Sequence, residues 1–235
     1  MLAYLVWVGY HDAIRAARTA TFNYAAIIEA RLDATLRRAD ADLQAILRDL
    51  PDAAFKLKNS AQFEGGISAR LHGLRNSFTE IADFVVVDRD GNRLCATAPQ
   101  KAQRVNVSSE KYFAQLRDSA RDGIVISEVI VSRSSGKLIV VVARPARDGQ
   151  GAFQGAALAT LKIDEFENLF RTLDIGAGGN VALYRSDDFS RVARWPPADG
   201  KLNQVLPPDS PTRAALANGA RDATIDIRSA ADGIV

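Results

Sequence analysis

Residues 104–166 read RVNVSSEKYFAQLRDSARDGIVISEVIVSRSSGKLIVVVARPARDGQGAFQGAALATLKIDEF. The pattern predicts a short helix over 109–119, then three strands, the last two at 138–144 and 153–162. β-branched runs are separated by Ser135-Gly136 and by the turn Asp148-Gly-Gln-Gly, both hairpin signals. Just upstream, FVVVDRDGNRLCAT (84–97) gives another strand, acidic turn and strand, with Asp90-Gly91 at the bend. Antiparallel pairing follows from such short connections.

Working toward the N-terminus, neither Pro nor Gly occurs between Gly9 and Pro51. Ile14, Ala17, Thr21, Tyr24, Ile28, Leu32, Leu36, Ala39, Leu43, Ile46 and Leu50 recur every three or four residues. Over ~10 turns that spacing keeps one apolar stripe on one face of a helix. Such a helix is roughly 60 Å long, about twice the span of a small domain. One sheet does not cover that stripe, and two stacked modules do.

A weak internal repeat also predicts two modules. The 84–97 unit is matched by VALYRSDDFSRVARW (181–195), and the helical segment 109–119 by 209–218. Ala120-Arg121-Asp122 and Ala220-Arg221-Asp222 each begin a strand. Matched elements keep one order at an offset of roughly 100 residues. The second copy stops at DGIV (232–235), and the chain therefore reads as truncated in its last strands. Segment 164–174 is expected to be a linking helix capped by Asp164 and ended by Gly176, Gly178 and Gly179. The expected division is a long helix at 1–50, a first module at 51–163, a linking helix at 164–175 and an incomplete module at 176–235.

Composition narrows function. With 47% hydrophobic and 25% charged residues, a packed core is expected. A net charge of +2 with scattered basic residues gives no footprint for nucleic acid. The single cysteine, Cys95, excludes an internal disulfide and a Cys-based zinc site. His11 and His72 have no partner at ligand spacing, so neither metal nor cofactor is expected. Asp187-Asp188 lacks the oxygen ligands of a calcium loop. DGQGAFQG (148–155) is followed by no Lys-Ser/Thr and no helix start, which makes it a hairpin turn. No acid–base or nucleophilic set can be assembled, and the segment is not expected to be an enzyme.

Leu2–Val8 is an apolar run edged by Tyr4, Trp7 and Tyr10. It falls far short of the ~20 residues that span a bilayer. It reads either as the outer end of a transmembrane helix or as the apolar start of a soluble one.

A long helix followed by strand–acidic turn–strand units, together with SSEKYFAQ (108–115), resembles the double Cache (PAS-like) sensor domains of bacterial transmembrane receptors. The match is to their "S-x-R-E-Y-F" segment and extends over nearly the whole chain. The resemblance implies an α+β fold in which the long N-terminal helix packs along two tandem PAS-like antiparallel-sheet modules, membrane-distal then proximal. It implies a periplasmic, non-catalytic sensor anchored in the inner membrane, with a histidine kinase or diguanylate cyclase as output. The alternative is a constitutive dimerisation scaffold without a ligand.

In that family the segment carrying Tyr112 and Phe113 walls the distal pocket. Tyr112 is then either a ligand contact or a core anchor, and Phe113 is the apolar side of the pocket or core. The branch that binds amino acids carries an Arg where Glu110 stands here and an Asp at a position near Thr160. Both charges that hold a zwitterion are therefore replaced. Arg104, Ser127 and Glu128 complete the candidate set, and the expected ligand is a small polar metabolite such as a carboxylate. Ala16, Ala20, Ala30 and Ala34, on the face of the long helix opposite its stripe, are expected to form a parallel homodimer seam.

Overall fold

The computed structural model describes residues 1–55, 60–78, 80–97, 106–119, 122–132, 135–176, 178–197, 202–220 and 223. The chain forms two compact units: Ala34–Glu165, and Met1–Asp33 with Phe166–Val235. Helix α1 runs unbroken from Leu2 to Arg48, 47 residues, and contributes to both. Its length follows from a Pro-free sequence rich in Ala, Leu and Arg, which favours helix at every turn. No described helix is long and apolar enough to cross a membrane.

The first unit is built on an antiparallel sheet. Its strands are β1 (Ile81–Asp88), β2 (Arg93–Ala96), β3 (Val125–Ile126), β4 (Ile130–Val131), β5 (Leu138–Arg147) and β6 (Phe153–Lys162). The order is β2-β1-β6-β5-β3, with β4 also on β5. β5 and β6 carry near-continuous apolar runs because both of their faces are covered. On one face Val87, Ile139, Val141, Ala143, Ala156 and Leu158 form a cluster with helix α3 (Lys111–Asp118). The pleat sends Phe84, Val86, Val140, Val142, Ala157 and Ala159 to the other face, all buried. There helix α2 (Ser60–Asn76) lies against β1 and β2. Asp40 of α1 is ion-paired to Arg144 of β5, and Ala39, Leu43 and Ile46 of α1 are buried.

Three local features differ from the sequence reading. Helix α2, preceded by a 3-10 turn at Asp52–Phe55, gave no sequence signal. Gly65, Gly66 and Gly73 dilute both its periodicity and its propensity. The strand expected after residue 120 is two short pieces, β3 and β4. Between them the Ser127 hydroxyl accepts from the Val141 N–H (2.9 Å) and donates to the Glu128 carbonyl (2.6 Å). A side chain thus takes a ladder position and interrupts the strand. Finally, helix α4 (Ile163–Arg171) starts one residue before Asp164. Asp164 lies in its first turn, where its carboxylate pairs with Lys137 at 2.9 Å. The helix ends before the glycines are reached, and Thr172 and Leu173 close it with turns back to Leu169 and Phe170.

The second unit holds the hairpin β7 (Val181–Tyr184) and β8 (Arg191–Trp195), with α5 (Pro211–Ala217). Arg171 stacks its guanidinium over the Trp195 ring at 4.4 Å, and Arg213 covers Phe189 at 4.6 Å. The Tyr24 hydroxyl of α1 donates to the Asp174 carbonyl at 2.8 Å. Arg221 and Asp222, where the second-copy strand is expected to begin, and the truncated end at 232–235 fall outside the described residues.

One carboxylate on α1 works against stability. Asp42 Oδ2 is buried without a hydrogen-bond partner among the described residues. Burial pushes its carboxyl above the usual carboxylate range, and the nearby Arg38 charge opposes this in part. A raised carboxyl pKa means that ionisation costs the folded state, a cost absent at low pH and complete above the folded pKa. Asp42→Asn is therefore expected to stabilise the unit at pH 7 by on the order of 0.5 kcal/mol, a figure discounted for partial solvent screening. The gain should fade as pH falls through the folded value and vanish well below the ~3.9 of the unfolded carboxyl, by about pH 3. Urea titrations at the two pH values check it, and a pH-independent effect would refute the desolvation account.

Candidate functional site

The acidic turn between β1 and β2 places α3. Buried Asp88 accepts the N–H groups of Asp90 (2.9 Å) and Asn92 (2.8 Å) through Oδ1 and the Asn92 amide through Oδ2 (3.0 Å). Gly91, at φ +78°, then lets Val107 N–H reach its carbonyl at 2.9 Å. A Cβ there would meet Ser108 N at 2.6 Å, so the segment leading into α3 fits only against glycine. The Asn106 amide adds bonds to the Asp90 carbonyl (3.0 Å) and Asn92 Oδ1 (2.9 Å). A turn that reads as a hairpin signal is thus also the seat of the helix.

α3 buries Tyr112, Phe113 and Leu116 on the sheet, the i, i+1, i+4 set of one helical face. Phe113 is fully buried and meets the Phe153 ring edge-on, centroids 5.6 Å apart. Tyr112 is 4% exposed in the cluster with Ile139 and Val141.

A polar row crosses the sheet beside this cluster. Thr160 lies opposite Val141 on one side and Asp83 on the other, and Ser127 is bonded to Val141 as described. The Thr160 hydroxyl donates to the Asp83 carbonyl at 3.1 Å. The Asp83 carboxylate receives the Thr97 N–H (2.9 Å) and hydroxyl, while Thr97 Oγ1 accepts from Phe84 N–H at 3.0 Å. Asp83 and Thr97 are both buried. Sequence reasoning missed this pair. Its signal was a charged residue inside the apolar strand IADFVVV, which a soluble face does not require.

The other candidates are placed as follows. Glu128 is held in an ion pair with Lys111 at 3.1 Å. Glu110 is the N-cap residue of α3, half-buried, and makes no side-chain cap bond. Arg104 lies outside the described residues. The structure thus brings Tyr112, Phe113, Ser127 and Thr160 to one face and sets Glu128 on a surface pair. Among the described residues no group of His, Cys, Asp and Glu is arranged to hold a metal ion. The Ser127 and Thr160 hydroxyls and the Asp83 carboxylate are bonded within the sheet, beside the buried Tyr112 ring.

The Cache domain profile matches residues 12–210. The chain belongs to the Cache domain family. Solved structures similar to this Cache domain include the extracellular domain of the candidate histidine kinase rpHK1S-Z16. That match has a TM-score of 0.65 at 22% identity and covers 85% of this chain and 76% of the other. The sensor domain of the histidine kinase DctB from V. cholerae matches with TM-score 0.58 at 17% identity, covering 91% and 78%. The ligand-binding domain of the amino acid chemoreceptor PctC from Pseudomonas aeruginosa PAO1, solved with GABA, matches with TM-score 0.58 at 15% identity, covering 88% and 83%. No curated protein matches the sequence.

The second unit of this Cache domain contains a groove of about 740 Å³. Tyr24, Ile28 and Leu32 of α1 line one side, and Phe170, Val181 and Leu183 line the other. Ala20 also lines it, so this residue lies toward the apolar stripe and away from the expected dimer seam. Ala16, Ala30 and Ala34 are exposed.

Proposed function

We propose that this Cache domain is the extracytoplasmic sensor of a membrane receptor and binds a small polar molecule against α3, with Tyr112 as its aromatic contact. The supporting observation is the position of Tyr112. Its cluster includes Val141, the strand residue flanked by the hydroxyls of Ser127 and Thr160. An aromatic side chain beside hydroxyl-bearing strand residues is a composition that small-molecule sites share. The segment itself carries out no chemistry, and the output is a histidine kinase or a diguanylate cyclase.

The ligand is not a free amino acid, since Glu110 and Thr160 stand at or near the positions of the zwitterion's partners. A carboxylate is the class that Arg104 would pair with. Calorimetry against a panel of free amino acids and small carboxylates tests both parts. Tyr112→Ala is expected to weaken the best binder more than tenfold, about 1.4 kcal/mol or more. A Tyr112→Ala protein that binds it with unchanged affinity removes the site assignment. Tight binding of free amino acids removes the ligand class, and a panel with no binder favours the constitutive scaffold.

The receptor is a parallel homodimer along α1, with Ala16, Ala30 and Ala34 at the seam. Small exposed residues let two helix backbones approach, and membrane tethering raises the effective concentration of the pair. Single cysteines at these positions are expected to cross-link between subunits of the full-length receptor in membranes. Cysteines there that never cross-link place the seam elsewhere.

A further inference from the structure

The short helix that carries Tyr112 is held from beyond its C-terminal end by one arginine. Arg147 stands at the end of β5, at the register slip between Ala146 and Arg147, and bulges of this kind re-aim a side chain. Its side chain is 14% exposed. Nη2 donates to the Leu116 carbonyl at 3.1 Å and to the Ser119 carbonyl, both at the C-terminal end of α3. Nη1 donates to the Gly151 carbonyl of the β5–β6 turn at 3.2 Å, and Nε lies 3.3 Å from Asp122 Oδ1. The guanidinium carbon sits 5.9 Å from the centroid of the Phe153 ring, which in turn contacts Phe113.

We infer that Arg147 is a positioning residue for the ligand site: it fixes where α3, and so Tyr112, sits over the sheet. The inference rests on the ligand reading given above. Three arguments carry it. α3 has only eight residues and no side-chain cap at Glu110, and a helix so short has little stability of its own. A cation at a helix C-terminus satisfies orphan carbonyls and matches the helix dipole. The planar guanidinium bonds α3 and the β5–β6 turn at once, a geometry that a lysine ammonium does not reproduce.

The test needs no ligand. Of the five tyrosines, only Tyr112 lies in the 34–165 unit. Protein labelled with 3-fluorotyrosine therefore reports α3 by one fluorine resonance, assigned with Tyr112→Phe, and the other four serve as controls. In Arg147→Lys the Tyr112 resonance is expected to shift or broaden while Tyr4, Tyr10, Tyr24 and Tyr184 stay in place. Amides 114–119 should exchange at least tenfold faster, and those of β5 and β6 should not change. A folded Arg147→Lys protein with an unmoved Tyr112 resonance overturns the proposal, as does equal acceleration of the strand amides. If Arg147→Lys does not fold, Arg147→Gln is measured in its place. Failure of both to fold makes Arg147 a stability residue of the whole unit and also overturns it. A negative result on Tyr112→Ala affinity, by contrast, removes the ligand reading and leaves the fluorine result standing.

Discussion

Phe113→Ala is expected to destabilise the 34–165 unit by about 3–5 kcal/mol, the range for removing a fully buried aromatic side chain. The ring is completely inaccessible and loses its edge contact with Phe153 at 5.6 Å. α3 buries three side chains on the sheet, and removing the middle one leaves a cavity that Tyr112 and Leu116 cannot close without moving the helix. Phe113→Leu should cost much less, about 1–1.5 kcal/mol, because most of the volume is kept. Urea unfolding followed by far-UV circular dichroism reads both. Tryptophan fluorescence does not serve, since Trp7 and Trp195 belong to the other unit. A Phe113→Ala loss below 1 kcal/mol would contradict the packing described for α3.

Gly155→Ala should be comparably damaging, about 3 kcal/mol or more, for a different reason. Gly155 lies in β6 between Asp88 of β1 and Ala146 of β5. A Cβ at this site would stand 2.2 Å from the Val87 carbonyl oxygen and 2.8 Å from Phe55 Cδ1, on a backbone at φ +155°. The nearest atom is backbone of a paired central strand, so relief requires the strands to separate. Gly149 in the β5–β6 turn is the matched control, because a Cβ there meets nothing within 4 Å. Gly149→Ala is expected to stay within about 0.5 kcal/mol of the parent. Similar stabilities for the two alanine variants would show that β1 and β6 yield at Gly155.

The acidic turns show how a local signal and a tertiary role differ. Asp88-x-Asp90-Gly91 reads as a bend between two strands, and it is one. Its second role, holding the segment from Asn106 to Ser108, depends on residues some fifteen positions later and on a close approach that only Gly91 allows. Asp148 is simpler. Its carboxylate accepts the N–H groups of Gln150 and Ala152 within its own turn, and those bonds hold its carboxyl below the usual range. A contact so local is visible in the sequence.

The sequence by itself determined the long helix, the antiparallel strands on either side of their Gly-containing turns, and membership of the Cache family. The first two rest on periodicity and turn chemistry, properties of neighbouring residues that survive without knowledge of the fold. The third rests on the resemblance of the SSEKYFAQ segment and the element order to that family. The sequence also put Tyr112 and Phe113 on a short helix, and the resemblance left Tyr112 either as a ligand contact or as a core anchor. Only the tertiary structure decided the partners. Glu128 went to Lys111 on the surface, Ala20 to the groove beside β7, Thr160 to the carbonyl of a strand 77 positions away, and Arg147 to the end of α3. These pairings join atoms distant in sequence, and their geometry is set by strand register and helix rotation, which no local spacing encodes.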